Sequence, residues 1–366
     1  DGDYQVTIAF KQPFAPALNF LTNPRAFIVS KAYCDANGEE ILDRAPMGTG
    51  AYVFEEWLVG TSVSLTRNDN YWDTPAAIPN IQVRFIADDN ARMIALETGE
   101  VDIASEIQDS DVSRALAEEI DGVIGYAIPS FKVWNFAFNT VSGDTAEIFQ
   151  KKEVRLAIAH AVDWEATITT AAGSVAVPAK SSLASTISFY KEVGIYEYDP
   201  ELSKQLLADA GYADGFEFTV VEEEVPLAVR VLETIQAYLA EIGITMNIEV
   251  TDTPTWQEAT QNGTAQATIA NMTANTGDPT HTLNGYVATS ASVANRVMDE
   301  KFNQLFNDGI AEQDEAKRQE IYEELQDYIY ENAFFIPMWE QVITYGVRDY
   351  VQGFIQIGRA SCRERV

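Results

Sequence analysis

The sequence contains few of the side chains from which most catalytic and metal sites are built. Its 366 residues include two cysteines, Cys34 and Cys362, and two histidines, His160 and His281. A single cysteine pair does not indicate a disulfide framework. His160 lies among Ala and Val in a predicted helix, which is typical of a packing residue. His281 has no second ligand at a metal-binding spacing.

Motifs of catalysis and of nucleotide binding are also absent. There is no GxSxG elbow, no Walker loop and no dinucleotide fingerprint. The segment Gly48-Thr49-Gly50 is too short for such a fingerprint and precedes a predicted strand rather than a helix. We therefore predict no catalytic residues, no metal site and no cofactor.

Long apolar runs and positive charge are both scarce. No run approaches the roughly 20 residues that a membrane-spanning helix needs. The 24 Lys and Arg residues face 56 Asp and Glu residues, a net charge of −32. Such a surface repels phosphates and anionic lipid headgroups, so we predict neither nucleic acid nor membrane lipid as a partner. The acidic balance fits the solubility of a secreted protein, and selection of cationic ligands is the alternative.

The two ends of the chain call for separate expectations. The chain begins Asp1-Gly2-Asp3-Tyr4, without an initiator Met or an apolar signal segment, so we expect any signal peptide to lie upstream. At the other end, Ile357–Val366 (IGRASCRERV) resembles the translated read-through of a sequencing adapter. A genuine basic tail is the alternative. These residues are left out of the fold prediction.

Two stretches predict a strand, a helix and a strand in succession. The stronger one spans residues 216–250, where a helical stripe ends at Gly243 between two alternating segments. The weaker one spans residues 81–103. Parallel strands joined by helices indicate an α/β protein with more than one domain. Further strands are predicted at Gln5–Phe10, Ala51–Phe54 and Ser62–Arg67, and further helices begin at Asp199-Pro200 and run through Ile321–Ile329.

One acidic run, Glu222–Glu224, follows the first strand of the stronger unit. Adjacent residues on a strand point to opposite faces, so paired catalytic carboxylates are not favoured there. We predict a solvated acidic edge.

Several short motifs occur in a fixed order over nearly all of residues 1–356. In this order they resemble the solute-binding proteins of ABC transporters known as bacterial extracellular solute-binding family 5, which includes dipeptide-, oligopeptide- and nickel-binding proteins. The motifs are Met47–Tyr52 leading to Trp57, Arg67–Trp72, Asp88–Ile103, Phe138-Asn139, Val154-Arg155, Ala161–Asp163, Tyr198–Pro200, Leu206–Tyr212, Gly277–Pro279, Ile336-Pro337 and Gly353-Phe354.

The resemblance implies an α/β, bilobal periplasmic-binding-protein-like (type II) fold with an additional α/β domain, truncated at both ends. Residues 1–46 would end the extra domain, 47–140 would form the central part of the first lobe, 141–335 the second lobe, and 336–356 the return to the first lobe. Residues 357–366 would be a non-native tail.

The resemblance also gives structural roles to its first motifs. Trp57 and Tyr71-Trp72 are expected to pack in the core of the first lobe. Gly48 and Gly50 are expected at a tight crossing between domains, where a positive φ or a close backbone approach needs glycine.

The resemblance places ligand contacts at Met272–Asp278. In peptide-binding relatives an aspartate a few residues before the Asp-Pro pairs with the ligand's α-ammonium, and the matching position here is Asn275. An amide can accept a hydrogen bond from an ammonium but cannot neutralise it. Asp278 could take over that role, or it could cap the next helix. Met272 stands where a tryptophan is frequent, and Trp134 is a further contact candidate for which core packing is equally open.

The function implied is that of the extracytoplasmic substrate-binding component of an ABC importer. It would capture a small solute, foremost a dipeptide or oligopeptide, by lobe closure and deliver it to the permease transmembrane subunits. We expect a monomeric, non-enzymatic protein in the periplasm, or a lipoprotein at the cell surface. The alternatives are another polar solute such as an oligosaccharide, or a ligand-sensing receptor domain. A hydrolase is opposed by the missing triad and metal set.

Overall fold

The computed structural model describes residues 5–354, apart from the side chains of Asp109 and Ser174. Cys362 and the tail 357–366 lie outside the described residues. The strands are β1 Tyr52–Leu58, β2 Ser62–Arg67, β3 Asn80–Arg84, β4 Ile103–Ser105, β5 Val123–Phe138, β6 Ala176–Pro178, β7 Glu217–Glu223, β8 Thr245–Thr251, β9 Ala267–Thr273 and β10 Phe335–Arg348. The helices are α1 Ala17–Leu21, α2 Lys31–Asn37, α3 Asp89–Glu97, α4 Asp109–Leu116, α5 Ala146–Gln150, α6 Lys152–His160, α7 Trp164–Ala172, α8 Pro200–Asp209, α9 Pro226–Glu241, α10 Thr253–Asn262, α11 Pro279–Leu283, α12 Glu300–Ala311 and α13 Glu315–Asn332. Within the described residues, no helix is both long and apolar enough to cross a bilayer.

The strands form two sheets. The first is an antiparallel sheet in the order β1-β2-β3, and the second has the order β4-β10-β5-β9-β7-β8, with β6 also paired to β10. The strands predicted at 51–54, 62–67 and 81–86 are confirmed, whereas residues 5–10 form no strand. The prediction that residues 81–103 form two parallel strands joined by a helix is wrong. β3 belongs to the first sheet, while β4 pairs antiparallel with β10 in the second.

The predicted unit at 216–250 is confirmed. β7 and β8 are parallel and in register from Glu217↔Thr245 to Glu223↔Thr251, and α9 connects them. The chain segments that lead into β7 and β8 approach each other closely at Gly215. With φ at +75°, a Cβ at this position would lie 1.8 Å from the Gly243 carbonyl oxygen. The crossing therefore requires glycine.

Two long strands, β5 and β10, join the two parts of the larger sheet. Residues 123–128 of β5 pair with 343–348 of β10 beside β4, whereas residues 132–138 of β5 pair with β9. The β5–β10 register shifts between Pro337 and Trp339, and again between Glu340 and Val342. The second irregularity lies where both strands pass from one part to the other.

Each part has its own apolar core. The small core consists of eight buried side chains between Met93 and Val123. In the large part, one face of the sheet packs against α6, α7 and α9, and the opposite face packs against α11, α12 and α13. Two cores joined by two strands give a two-lobed arrangement, which we describe as a small lobe and a large lobe.

The first sheet lacks the core packing that the sequence predicted. Trp57 is 41% exposed and Trp72 is 76% exposed. Among the described residues, none before Met93 belongs to a buried apolar cluster. The expectations for Gly48 and Gly50 are also wrong, because neither has a positive φ and neither has backbone within close contact distance.

Candidate ligand-binding site

The candidate site lies at the edge of the large lobe that faces the small lobe. β7, β8 and β9 run parallel, so their carboxyl ends share this edge. In α/β sheets, ligands bind outside the carboxyl ends of the strands. Lys132 on β5, paired with Thr273 at the end of β9, lies at the same edge.

Lys132 connects the two lobes electrostatically. Burial lowers the pKa of its ammonium, while the charges of Glu223 on the large lobe and Glu106 on the small lobe oppose that shift. The ammonium nitrogen lies 4.3 Å from the centre of the Trp134 ring, within cation–π range. Lys132 has no local signal in the sequence, because its position depends on which strands meet at this edge.

Trp134 is 7% exposed, and its ring stacks on that of Trp339 at 5.1 Å. Its indole Nε1 is buried and has no hydrogen-bond partner within residues 5–354. Core packing, the alternative left open for this residue, therefore describes its environment. A ligand contact at Trp134 stays a prediction.

Met272 and Asn275 lie together at the end of β9. Met272 is half-buried and packs against the core on the α12–α13 face, close to Gly285. Asn275 is half-buried in the loop that follows. That loop is fixed by a hydrogen bond of 3.1 Å from the Ser188 amide to the Gly277 carbonyl oxygen. Both candidate side chains are partly accessible, and their contact with ligand stays a prediction.

Asp278 is fully buried and serves as a helix cap. Its Oδ1 accepts a hydrogen bond from the Thr280 amide at the start of α11, at 3.0 Å. Its carboxylate also forms a two-bond ion pair with Arg318, at 2.8 and 3.0 Å. The capping role considered for Asp278 is confirmed, and Arg318 already neutralises its charge.

Glu340 is a buried carboxylate that the sequence analysis missed. It is 5% exposed, and its Oε2 accepts hydrogen bonds from the amide and hydroxyl of Ser185, at 2.9 and 2.8 Å. No ion pair within the described residues includes Glu340. The signal that could have found it is a lone carboxylate directly after the apolar run Phe335–Trp339.

Tyr190 lies near this carboxylate. Burial, together with the smaller effects of the negative charges of Glu340 and Glu192, raises the pKa of the Tyr190 hydroxyl to about 12. At neutral pH Tyr190 is therefore a neutral phenol beside Glu340.

The prediction of a solvated acidic edge is wrong for Glu222. This residue is 1% exposed, and its Oε2 accepts a hydrogen bond of 2.8 Å from the Ile269 amide. Glu222 takes part in linking β7 to β9 where the direct backbone ladder between them is short. Burial raises the pKa of the Glu222 carboxyl group to about 8, although the hydrogen bond from Ile269 opposes the shift.

Glu222 predicts a specific pH dependence of stability. Its folded pKa lies above the unfolded value near 4.5, so its stabilising contribution is complete below about pH 4.5 and is lost as pH rises through 8. Compared with Glu222→Gln, the unaltered protein should lose up to about 1.4 kcal/mol per pH unit in this window. Urea denaturation from pH 5 to 9 measures the difference, and parallel curves for the two proteins would contradict it.

The histidines show no sign of a metal centre. Within the described residues, no group of three or more His, Cys, Asp or Glu side chains could hold a metal ion. Burial lowers the pKa of His281, and Arg25 lowers it further. His160 Nδ1 lies 2.8 Å from the Glu197 carbonyl oxygen, which is a structural hydrogen bond.

Two lobes joined by crossing strands, with the carboxyl ends of the parallel strands β7, β8 and β9 facing the small lobe, define a two-lobed α/β architecture. A model of the bacterial extracellular solute-binding proteins, family 5 (middle), matches residues 1–293. The chain belongs to this family, and it has the fold of periplasmic binding proteins.

Known proteins agree with this assignment. The chain is 27% identical over 343 residues to heme-binding protein A of Haemophilus influenzae, covering 90% of this chain and 61% of that relative. It is 27% identical over 351 residues to the glutathione-binding protein GsiB of Escherichia coli, covering 91% of this chain and 66% of that protein. The solved periplasmic binding protein DppA from Helicobacter pylori, in complex with the peptide STSA, superimposes with a TM-score of 0.79 at 25% identity. That superposition covers 96% of this chain and 70% of DppA.

Proposed function

We propose that this chain is part of the substrate-binding component of an ABC importer. It captures a small solute between its lobes outside the cytoplasm and delivers it to the permease transmembrane subunits. The observation that carries the proposal is the pair of crossing strands β5 and β10, because two strands that connect two separate cores provide a hinge about which the lobes close. Family membership supports an extracytoplasmic, non-enzymatic role. A monomeric state and lipid anchoring are further parts of the proposal.

The hinge lies at the second irregularity of the β5–β10 register, between Glu340 and Val342. Residues 132–138 of β5 and 335–340 of β10 pack with the large lobe, so we propose lobe boundaries near residues 129–131 and 341–342 rather than at 140 and 336. Bulges weaken the ladder locally and allow bending. A ligand that contacts both lobes shifts the population towards the closed state, because it binds that state better.

A peptide or peptide-like solute is the ligand class we propose. The relatives named above bind heme, glutathione and the peptide STSA, so the family accommodates several chemistries. Two of these three ligands are peptides. Asn275, a neutral amide at the cleft edge, keeps another polar solute such as an oligosaccharide as the second candidate.

Lobe closure is tested by distance measurement. Spin labels at Ile94→Cys on α3 and Leu202→Cys on α8, both exposed positions, report the separation of the lobes in the complete protein without its native cysteines. We expect the tetrapeptide STSA to shorten the distance by several ångströms. An unchanged distance with STSA, glutathione and heme alike would refute the hinge.

The neutral amide at Asn275 leads to a prediction about affinity. Asn275→Asp should tighten binding of STSA by about 10-fold, because a carboxylate at this position attracts the cationic peptide, which a neutral amide does not. Isothermal titration calorimetry measures the change. The matched control is Asn271→Asp, which adds the same charge to β9 on the face of Trp134. Equal gains from both variants would show a general charge effect and contradict a contact at position 275.

A further inference from the structure

We propose that Glu340 receives the ammonium group of the bound solute, so that the ligand class is amine-bearing and a peptide N terminus is its natural form. This inference rests on the proposed function. Glu340 would be a binding residue at the base of the cleft, held in place by Ser185.

The negative charge of Glu340 supports this assignment. A buried carboxylate without a cation is costly, and such groups are normally paired or protonated. The other two buried acids among the described residues are accounted for: Asp278 has Arg318 as its partner, and burial raises the pKa of Glu222 to about 8, so that it is mostly uncharged at neutral pH. Glu340 has only the neutral donors of Ser185. Its negative charge is therefore available to a cation that the described residues do not supply.

The Oε1 atom of Glu340 also supports this assignment. Both hydrogen bonds from Ser185 go to Oε2, and within residues 5–354 no group donates to Oε1. Oε1 is also absent from the fully enclosed polar atoms without partners. The residue is 95% buried, yet this oxygen remains reachable. A carboxylate with one oxygen fixed and the other open is oriented to accept a strong hydrogen bond.

The position of Glu340 in the sheet supports this assignment as well. Glu340 lies opposite Val133 on β5, which lies opposite Met272 on β9. Directly paired residues share a face, so Glu340 and Met272 lie on one face of the sheet, two strand spacings or about 10 Å apart. Ser185, which holds Glu340, is three residues before Ser188, which holds the Asn275 loop. Glu340 thus lies on the same face of the sheet as Met272 and is connected through residues 185–188 to the loop that contains Asn275.

Glu340 also lies next to the proposed hinge. The register of β10 shifts between Glu340 and Val342, where the strand leaves the large lobe. An ammonium bound here is at the base of the cleft rather than on one lobe surface. The rest of the solute can then reach both lobes, as closure requires.

A purely structural role is the competing explanation. Glu340 would then only anchor the segment that begins at Ser185. Gln retains an oxygen acceptor for both Ser185 hydrogen bonds and removes only the charge. Glu340→Gln therefore separates anchoring from ammonium binding.

The test is calorimetry on the complete protein at pH 7, with STSA and N-acetyl-STSA as probes. Acetylation removes the ammonium charge and leaves the rest of the peptide. We expect Glu340→Gln to weaken STSA binding by about 10- to 100-fold, the range for a hydrogen bond to a charged group, and to leave N-acetyl-STSA unchanged. The control for the Glu-to-Gln replacement itself is Glu222→Gln, at a second buried position in the same lobe with an amide donor, which should leave both affinities unchanged.

Each contrary outcome has a distinct meaning. Equal weakening of both peptides by Glu340→Gln, or no weakening, overturns the ammonium site and leaves solute capture standing. Equal affinity of the unaltered protein for both peptides also overturns it, and this comparison needs no variant that might misfold. If the unaltered protein binds neither peptide, peptide capture fails, and this inference fails with it.

Discussion

Replacing Arg318 by Met is expected to lower the free energy of unfolding by about 3–5 kcal/mol. Arg318 is 7% exposed, Asp278 is fully buried, and two hydrogen bonds join them. Arg318 Nε also donates to the Gly309 carbonyl oxygen at 2.7 Å. Without the guanidinium, Asp278 becomes a buried charge with no cation, which is among the costliest defects in a protein interior.

Urea denaturation of the two proteins measures this loss. The matched control is Lys191→Met, which breaks a 2.6 Å pair with Asp327 whose side chains are 35% and 42% exposed, and which should cost less than about 1 kcal/mol. Adding Asp278→Asn to Arg318→Met should restore part of the stability, because it removes the uncompensated charge while Asn can still cap α11. Equal effects of Arg318→Met and Lys191→Met would contradict this explanation.

Arg155 should give the second largest loss, about 3 kcal/mol for Arg155→Met. Its guanidinium donates to the carbonyl oxygens of Phe149, Gln150, Asn332 and Ala333, at the carboxyl ends of α5 and α13. Burial lowers the pKa of Arg155 to about 10, so it remains charged at neutral pH. Met fills the space but leaves these buried acceptors without donors.

Arg155→Lys distinguishes the contribution of the positive charge from that of the planar guanidinium. Arg155→Lys keeps the positive charge near the helix ends but cannot reproduce the planar fork, so it should recover less than half of the loss. The matched control is Arg230→Met, since Arg230 is exposed and donates to the Ala171 carbonyl oxygen at 3.2 Å. In thermal melting and urea denaturation, the loss of stability should be smallest for Arg230→Met, larger for Arg155→Lys and largest for Arg155→Met. Full recovery by Lys would contradict a role for the fork.

Local patterns predicted the elements whose partners are near in sequence. The β7–α9–β8 unit is an example, because its periodicity, its Gly243 stop and its parallel pairing all lie within residues 216–250. The pairing of β4 with β10 joins residues about 240 positions apart, as Ala104↔Gly346, and no local pattern specifies it. The same limit explains why β3 and β4 were wrongly joined.

The candidate site was predicted in part. Met272 and Asn275 lie at the end of β9 and in the loop that follows, and their contact with ligand stays a prediction. The isolation of Glu340 and the position of Lys132 between two lobes arise from the register of β5 and β10, which the sequence does not reveal. Asp278 was considered without its partner, because Arg318 follows 40 residues later on another helix. Glu222 was misjudged because its burial depends on Ile269 of β9.

The most direct test of solute capture is mass spectrometry of the complete protein purified under native conditions. We predict one small solute per protein molecule, retained by the native protein and released on unfolding, and we expect that solute to carry an amine. A protein that carries no small molecule after growth on peptide-rich medium, and binds none added to it, would contradict the account.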